Sequence, residues 1–136
     1  DVSDDAAVEP AAEALYEAEE RAEEARLWEE IREGYLSGGL AVAGATRVLD
    51  AFRSGRVEEM LVARQAKVAG VRCRACEHLA HGTPVTCYAC GASDLFEVDL
   101  VNELTELAAQ TGAAVEFAEA LPALDEVGGV AALLRY

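Results

Sequence analysis

The sequence predicts a layered α/β domain that begins with a long helix and carries a small metal-binding ribbon. From Gly38 to Tyr136, short apolar segments alternate with segments of helical periodicity, a pattern typical of a sheet covered by helices. Two Cys-x2-Cys pairs interrupt this alternation, so we expect a zinc-ribbon insert at residues 68–97. The 136 residues suffice for one domain with a real core, and we expect residues 1–136 to form it. Because the chain begins with Asp1 rather than Met, we expect a fragment of a larger protein.

The N-terminal quarter predicts a helix over residues 10–35. Proline is well tolerated in a first helical turn, and the segment is rich in Ala, Glu, Leu and Arg. Apolar residues recur along it at intervals of three and four: Leu15, Ala18, Ala22, Ala25, Trp28, Ile31 and Tyr35. The early positions are mostly alanine and the late ones are bulky. We therefore expect the second half to pack on the core and the first half to project.

The remaining elements are short periodic segments bounded by glycine or proline. The predicted strands are Leu40–Ala43, Val57–Val62, Ala113–Phe117 and Val130–Leu134. The predicted helices are Ala45–Ser54 and Asp99–Gln110, with a turn or short helical piece at Pro122–Glu126. Their alternation predicts a largely parallel or mixed sheet.

Charge and hydropathy limit the function classes. No apolar run approaches the roughly 18 residues of a membrane span, and we expect a cytoplasmic protein without a membrane partner. The net charge is −15, of which −10 lies between Asp1 and Glu33. Residues 45–74 hold seven basic residues against three acidic ones. The overall acidity nevertheless predicts weak or no autonomous nucleic-acid binding, because that affinity comes from cations that displace counterions.

Cys73, Cys76, Cys87 and Cys90 predict a structural zinc site. Each Cys-x2-Cys turn presents two thiolates, so two turns fill the four tetrahedral positions and leave none open for a substrate. Two disulfides would need an oxidising compartment, and the sequence shows no secretory leader. A thioredoxin-like redox centre needs only one pair. Rubredoxin-like iron uses the same four thiolates and stays an open alternative.

The segment between the two pairs predicts a hairpin. A turn sequence, HGTP, precedes the β-forming residues Val85–Thr86 that lead into the second pair. We interpret His78 and His81 as solvent-facing loop residues, because four thiolates are already correctly spaced. Gly91 follows the second pair, where the lack of a Cβ suits a tight knuckle, whereas Glu77 stands at the equivalent place after the first pair.

Three further strings carry a family resemblance: GGLAVAGATRVLDAFRSGRVEEMLVA at Gly38–Ala63, TGAAVEFAEAL at Thr111–Leu121 and GGVAALLRY at Gly128–Tyr136. They resemble the C-terminal domain of archaeal and eukaryotic class-1 peptide chain release factors, whose relatives include Pelota-type rescue factors and bacterial release-factor-like proteins. The resemblance implies an α/β/α sandwich like that of the kink-turn-binding ribosomal proteins. It also implies a ribbon-like minidomain where the cysteine pairs fall, and a preceding domain that the first helix would join.

Two departures from the family matter for function. The hydrolytic Gly-Gly-Gln motif is absent, since Leu40 follows one Gly-Gly pair and Val130 the other. Between Leu121 and Gly128 the family typically has a helix that contains glutamate and glutamine, whereas this chain has only PALDEV. A partner surface built on that helix is therefore expected to be reduced or different.

The expected function is that of a non-catalytic partner-docking domain. By the resemblance, the parent protein would act in translation termination, ribosome rescue or ribosome hibernation. Its partners would be the ribosome, a translational GTPase or an ABC-type ribosome-recycling ATPase. The alternative is a kink-turn-binder-like domain that contacts ribosomal RNA or tRNA through the basic segment. No combination of nucleophile and base predicts an enzyme. By the resemblance, any promotion of peptidyl-tRNA hydrolysis would belong to other parts of the full-length protein.

Overall fold

The computed structural model describes residues 2–136, with side chains from Ala12 onward. Eleven elements follow one another along the chain: α1 (Val2–Leu36), β1 (Ala41–Ala43), α2 (Ala45–Arg53), β2 (Val57–Ala63), β3 (Ala69–Cys73), β4 (Leu79–His81), β5 (Leu95–Asp99), α3 (Leu100–Thr111), β6 (Ala114–Ala118), α4 (Pro122–Glu126) and β7 (Val130–Leu134). Within the described range, no helix is both long enough and apolar enough to cross a bilayer.

Helix α1 begins at Val2 rather than at Pro10, and its 35 residues extend over about 52 Å. Its second half packs on the sheet, where Trp28 and Ile31 are buried. Residues 12–23, by contrast, are all exposed. The bulky and alanine-rich halves therefore behave as their side-chain volumes predict: only the bulky half has enough apolar surface to bury against the sheet.

Gly34 allows α1 and β1 to approach each other closely. A Cβ atom on Gly34 would lie 2.6 Å from the Cβ of Ala41, which is closer than two carbon atoms can approach. The last turn of α1 thus lies directly against the first strand, and the chain turns through Gly38 and Gly39 before it enters the sheet.

The main sheet has four strands in the order β1-β7-β2-β6. It is mixed: β7 pairs antiparallel with β1 and β2, and only β2 and β6 are parallel. The C-terminal strand thus lies between the first two strands of the chain. Because β2 and β7 are the central strands, both contain a run of successive apolar positions, residues 60–63 in β2 and 130–134 in β7.

Helices cover both faces of this sheet and form a three-layer α/β/α arrangement. Helices α2 and α3 pack on one face, and α1 and α4 pack on the other. The first layer buries Val48, Phe52, Met60, Leu104 and Ala132. The second layer buries Trp28, Ile31, Leu61, Leu124 and Ala131. The predicted α/β class is confirmed.

The cysteine segment forms a second, antiparallel sheet in the order β4-β3-β5, which we call the ribbon sheet. The prediction that residues 85–86 form a strand is wrong: the third strand is Leu95–Asp99, which pairs with β3 along its whole length. The side chain of Asp99 accepts a hydrogen bond from the backbone N–H of Val101, so the end of β5 caps α3. The end of β5 thus leads directly into a helix of the main fold.

Candidate metal centre

The four cysteine sulfurs converge at one end of the ribbon sheet. All four lie within 4.8 Å of one another. Cys73 ends β3, Cys76 follows in the turn, and Cys87 and Cys90 lie in the connection between β4 and β5. Two of the sulfur–sulfur distances between the pairs are short: 3.6 Å from Cys73 to Cys90 and 3.5 Å from Cys76 to Cys87.

These distances fit a tetrahedral metal site and not disulfides. Metal–sulfur bonds of about 2.3 Å give a tetrahedron with edges of about 3.8 Å, and the sulfur–sulfur distances of 3.6 and 3.5 Å are close to this edge length. A disulfide would bring two sulfurs to about 2.05 Å, and all four cysteines are free. The four cysteines therefore form a cluster that could bind a metal ion, as their spacing predicts.

The two Cys-x2-Cys knuckles have the same backbone hydrogen bonds, which explains why the sulfurs converge. In the first knuckle, the Cys73 carbonyl accepts from the Glu77 N–H at 2.9 Å, and the Cys73 N–H donates to the His78 carbonyl at 3.0 Å. In the second knuckle, the equivalent bonds join Cys87 to Gly91 at 2.9 Å and to Ala92 at 2.8 Å. Each knuckle is thus a closed turn that points its two thiols in one direction.

The residue after each pair has a left-handed backbone conformation. Gly91 has a φ of 77°, and nothing lies within 4 Å of the position of its missing Cβ. Glu77 has a φ of 65°, and among the residues described it is the one non-glycine with a positive φ. The knuckle geometry therefore requires this conformation twice, and glycine meets the requirement without strain only in the second knuckle.

Exposure alternates in the same way in both knuckles. The first cysteine of each pair, Cys73 or Cys87, is buried, whereas the second, Cys76 or Cys90, is exposed. The backbone N–H of Ala89 also donates to the Cys87 sulfur at 3.3 Å. One side of the cluster thus faces the ribbon sheet and the other faces solvent.

The pKa values of Cys87 and Cys76 are shifted in opposite directions. Backbone N–H donors, first that of Cys90 and then that of Ala89, lower the pKa of Cys87 to about 6 despite its desolvation. The backbone N–H of His78 acts in the same direction on Cys76, but desolvation and the neighbouring thiols outweigh it and raise the pKa of Cys76 to about 12. Cys87 therefore loses its proton more readily than an ordinary thiol, whereas Cys76 keeps its proton more firmly. A divalent cation supplies the charge that lets all four sulfurs ionise.

The two histidines connect the ribbon sheet to α2, so the prediction that both are solvent-facing loop residues holds only in part: His78 lies in a loop but is half-buried, and His81 is exposed but belongs to β4. His81 ends β4, and its Nδ1 lies 2.7 Å from the Thr46 hydroxyl. The Arg53 guanidinium lies 3.3 Å from His78 Nε2 and donates to the Leu79 carbonyl. The sequence holds no local signal for these contacts, because the partners are 25 to 35 residues apart.

Most basic side chains of residues 45–74 form ion pairs or hydrogen bonds within the fold. Arg64 pairs with Glu119, Arg72 with Glu103 at 2.8 Å, and Arg74 with Asp94 at 3.2 Å. Arg53 likewise pairs with Asp50, and Arg56 donates to the carbonyl of Tyr136. Among the described residues of this segment, Arg47 and Lys67 form no ion pair, and both line an open cavity of about 450 Å³ beside His81.

Together, the fold and the sulfur cluster define a mixed α/β domain with a four-cysteine ribbon. This architecture matches the C-terminal domain of a peptide chain release factor from Methanosarcina mazei, with 22% identity and a TM-score of 0.71 over 100% of this chain and 96% of that one. It also matches Archaeoglobus fulgidus Pelota, with 21% identity and a TM-score of 0.59 over 88% of this chain. The match spans 31% of the Pelota chain.

The resemblance predicted from the sequence is thereby confirmed at the level of the fold. No protein-family model matches the chain, and no curated protein matches its sequence. At 21 to 22% identity the structural neighbours establish the shared architecture, and the function of the chain has to be argued from its site.

Proposed function

We propose that this chain is a partner-docking domain without a catalytic centre of its own, and that its parent protein acts in translation termination, ribosome rescue or ribosome hibernation. The observation that carries the proposal is the match, over the full chain, to a domain that is itself the C-terminal part of a release factor. The proposed partners are the ribosome, a translational GTPase or an ABC-type ribosome-recycling ATPase.

The proposal assigns a structural zinc ion to Cys73, Cys76, Cys87 and Cys90. An all-thiolate donor set with two closed knuckles suits zinc, and iron is the alternative that metal analysis distinguishes. When bound, the ion would supply a cross-link between the knuckles and no reaction chemistry. The residues of the chain position the thiols, exclude water from Cys73 and Cys87 and fix the direction in which the ribbon projects.

Two features support a non-catalytic role. Four protein ligands leave no coordination position for a substrate or an activated water. Both histidines, which would be the obvious general bases, are engaged with α2 through Thr46 and Arg53. The site therefore has the chemistry of a scaffold.

We assign docking to the connection between β4 and β5, residues 82–94. Val85 and Tyr88 are 84% and 74% exposed there, beside the metal centre. Tyrosine at a rigid, exposed position is a frequent anchor of protein interfaces, because it buries a large area at little cost in conformational entropy. A metal-fixed knuckle keeps Tyr88, which lies between Cys87 and Cys90, in one orientation.

The test combines metal analysis with defined binding partners. Chain purified in reductant is expected to contain one zinc per molecule by elemental mass spectrometry. It is also expected to bind ribosomes, the GTPase or the ATPase of the same organism in cosedimentation and interferometry measurements. Absence of binding to all three partners would contradict the docking role.

A matched pair of variants locates the surface. The double substitution Val85→Ser/Tyr88→Ser is expected to weaken binding about tenfold or more, as loss of an interface anchor does, with unchanged zinc content. Leu36→Ser removes a similarly exposed apolar residue, 64% exposed, at the end of α1 and should leave binding unchanged. Equal effects of both variants would argue against the ribbon as the docking surface.

One observation favours the RNA-binding alternative. Arg47 and Lys67 face a common cavity at the start of α2, where no side chain caps the helix, and a phosphate group would suit that charge. This alternative predicts binding to ribosomal RNA or tRNA that falls steeply with salt and is lost in Arg47→Gln/Lys67→Gln. Salt-independent binding to a protein partner would favour the docking role instead.

A further inference from the structure

Two short sulfur–sulfur contacts across the cluster each join a cysteine residue that is exposed to one that is buried. Cys90 is exposed and lies 3.6 Å from buried Cys73, and Cys76 is exposed and lies 3.5 Å from buried Cys87. In each pair, a reagent in solution can thus reach the exposed cysteine, and the buried cysteine lies next to it. This pairing of an accessible thiol with an adjacent resolving thiol is what reversible thiol oxidation requires.

We propose that the four cysteines are also a reversible oxidation site, at which a peroxide converts them to the disulfides Cys73–Cys90 and Cys76–Cys87 and releases the bound metal. The metal release rests on the proposed metal site, whereas the pairing rests on the sulfur positions alone. The sulfurs of each pair need to approach by only about 1.5 Å to reach disulfide distance.

The chemistry balances with peroxide as the sole oxidant. The exposed thiolate attacks one peroxide oxygen, the O–O bond breaks, and a sulfenic acid and hydroxide are formed. The buried thiolate then attacks that sulfenic sulfur, the S–O bond breaks, and a disulfide and a second hydroxide are formed. The two hydroxides take protons from solvent and become water. Each disulfide thus transfers two electrons to one peroxide, and the metal leaves because its thiolate ligands are consumed.

The two crossed disulfides would replace the metal as the link between the knuckles. Both would join residues of the first knuckle to residues of the second, whereas disulfides within each Cys-x2-Cys pair would leave the knuckles unconnected. The oxidised ribbon is therefore expected to stay folded after it loses the metal. The surface around Tyr88 changes because its flanking cysteines move from a shared ion to separate partners.

The decisive experiment maps the disulfides of the whole chain. Metal-loaded protein is treated with hydrogen peroxide, its remaining thiols are alkylated, and released zinc is measured with a chromogenic chelator. Cleavage after Arg74, Leu79 and Tyr88 places each cysteine on a separate peptide for mass spectrometry. We expect one equivalent of zinc to be released in step with the Cys73–Cys90 and Cys76–Cys87 peptides. Thiol reductant plus zinc should restore the original metal content.

The outcomes separate this inference from the proposed function. Disulfides within each pair, or irreversible sulfinic acids as the main products, would overturn the inference and leave the proposed metal site intact. Reduced chain that contains no metal would contradict the metal site and, with it, the release step.

Two single substitutions test the proposed pairing, one at a buried cysteine and one at an exposed cysteine. In Cys73→Ser, peroxide is expected to leave Cys90 as a sulfenic acid that a dimedone probe labels, while Cys76–Cys87 still forms. Cys76→Ser should reverse the pattern: Cys87 is left without its partner, and Cys73–Cys90 forms. If either variant fails to fold, the disulfide map of the unsubstituted chain decides the question alone.

Discussion

The four-stranded sheet and the ribbon sheet are built from the same chain but are stabilised differently. The main sheet is covered on both faces, and Met60 and Leu61, adjacent on β2, are fully buried in opposite layers. The ribbon sheet has one buried face, where Leu79 joins the core of the domain, and its far end carries the four cysteines. The comparison separates a sheet that is held by apolar burial on both faces from one that buries a single face, as antiparallel sheets can. Under the proposed function, a metal cross-link would stabilise the outer end of the ribbon sheet.

Metal removal is the largest perturbation that separates the two sheets. Structural zinc contributes on the order of 10 kcal/mol of folding energy, so a strong chelator in reductant is expected to unfold the ribbon while most helical signal survives. Hydrogen exchange should show amides at residues 69–81 losing protection and those of β2 and β7 retaining it. Simultaneous loss of protection in both sheets would mean that they form one cooperative unit.

A cavity in the main sheet is expected to have the next largest effect. It should destabilise the main sheet and leave the ribbon sheet unaffected. Leu61→Ala removes a fully buried side chain between β2 and the α1/α4 layer, and should lower the free energy of unfolding by about 2–5 kcal/mol. Denaturant titration measures the change, and zinc content should stay at one per chain. Leu40→Ala, at a position 51% exposed, is the control and should change stability little.

The two knuckles offer a smaller and more local test. Gly91→Ala forces a Cβ into the left-handed region and is expected to cost about 1–2 kcal/mol, although the space around it is open. Glu77→Gly relieves the same strain in the first knuckle and is expected to stabilise the ribbon by less than about 1 kcal/mol, because glycine is more flexible when unfolded. Thermal unfolding of the zinc-loaded chain measures both. Effects of the same sign would contradict the equivalence of the knuckles.

The smallest expected effect is a pH dependence of the α1–sheet contact. Burial raises the pKa of Glu59 and of Glu116 above the ordinary carboxyl value, and nearby carboxylates add to both shifts, whereas Arg64 opposes the shift of Glu116. The carboxylates concerned are Glu30, Glu58 and Glu116 for Glu59, and Glu20, Glu23 and Glu24 for Glu116.

Between the ordinary and the raised pKa, the folded state holds protons that the unfolded state has released. The free energy of unfolding should therefore rise as the pH falls from 7 towards the ordinary carboxyl pKa of about 4.3. Glu116→Gln should stabilise the chain at pH 7 and flatten this dependence, whereas Glu106→Gln, on an exposed part of α3, should not. Denaturant titrations at several pH values, kept above the range in which zinc is lost, make the comparison. An unchanged slope in Glu116→Gln would exclude this carboxylate as the source.

Local pattern was sufficient to predict the individual elements. Strand β7 has the predicted bounds, and α2 and α3 lie within one residue of theirs, because apolar periodicity and a terminal glycine or aspartate act over a few residues. The cysteine cluster was also predictable, since knuckle geometry depends on adjacent residues. The start of α1 is an exception: the sequence predicts a helix from Pro10, whereas α1 begins eight residues earlier, at Val2. Proline is tolerated in a first helical turn but does not by itself mark the start of a helix.

Contacts between distant segments were not predictable in this way. Nothing local indicates that β7 lies between β1 and β2, or that Thr46 and Arg53 hold the two histidines. Residues 85–86 have strand-forming side chains but no neighbouring strand, and the ribbon pairs residues 69–73 with 95–99 instead. Strand formation needs a partner, and the partner is chosen by the whole fold.

By itself, the sequence determined the α/β class, the clustering of the four cysteines and the two halves of α1, because each depends on spacing or side-chain volume within a short stretch. Only the tertiary structure decided the strand order, the seating of the ribbon on α2 and the crossed pairing of buried with exposed sulfurs. Those features depend on which surfaces meet once the chain is folded, and a contact between segments that are not adjacent along the chain leaves no periodic trace in the sequence.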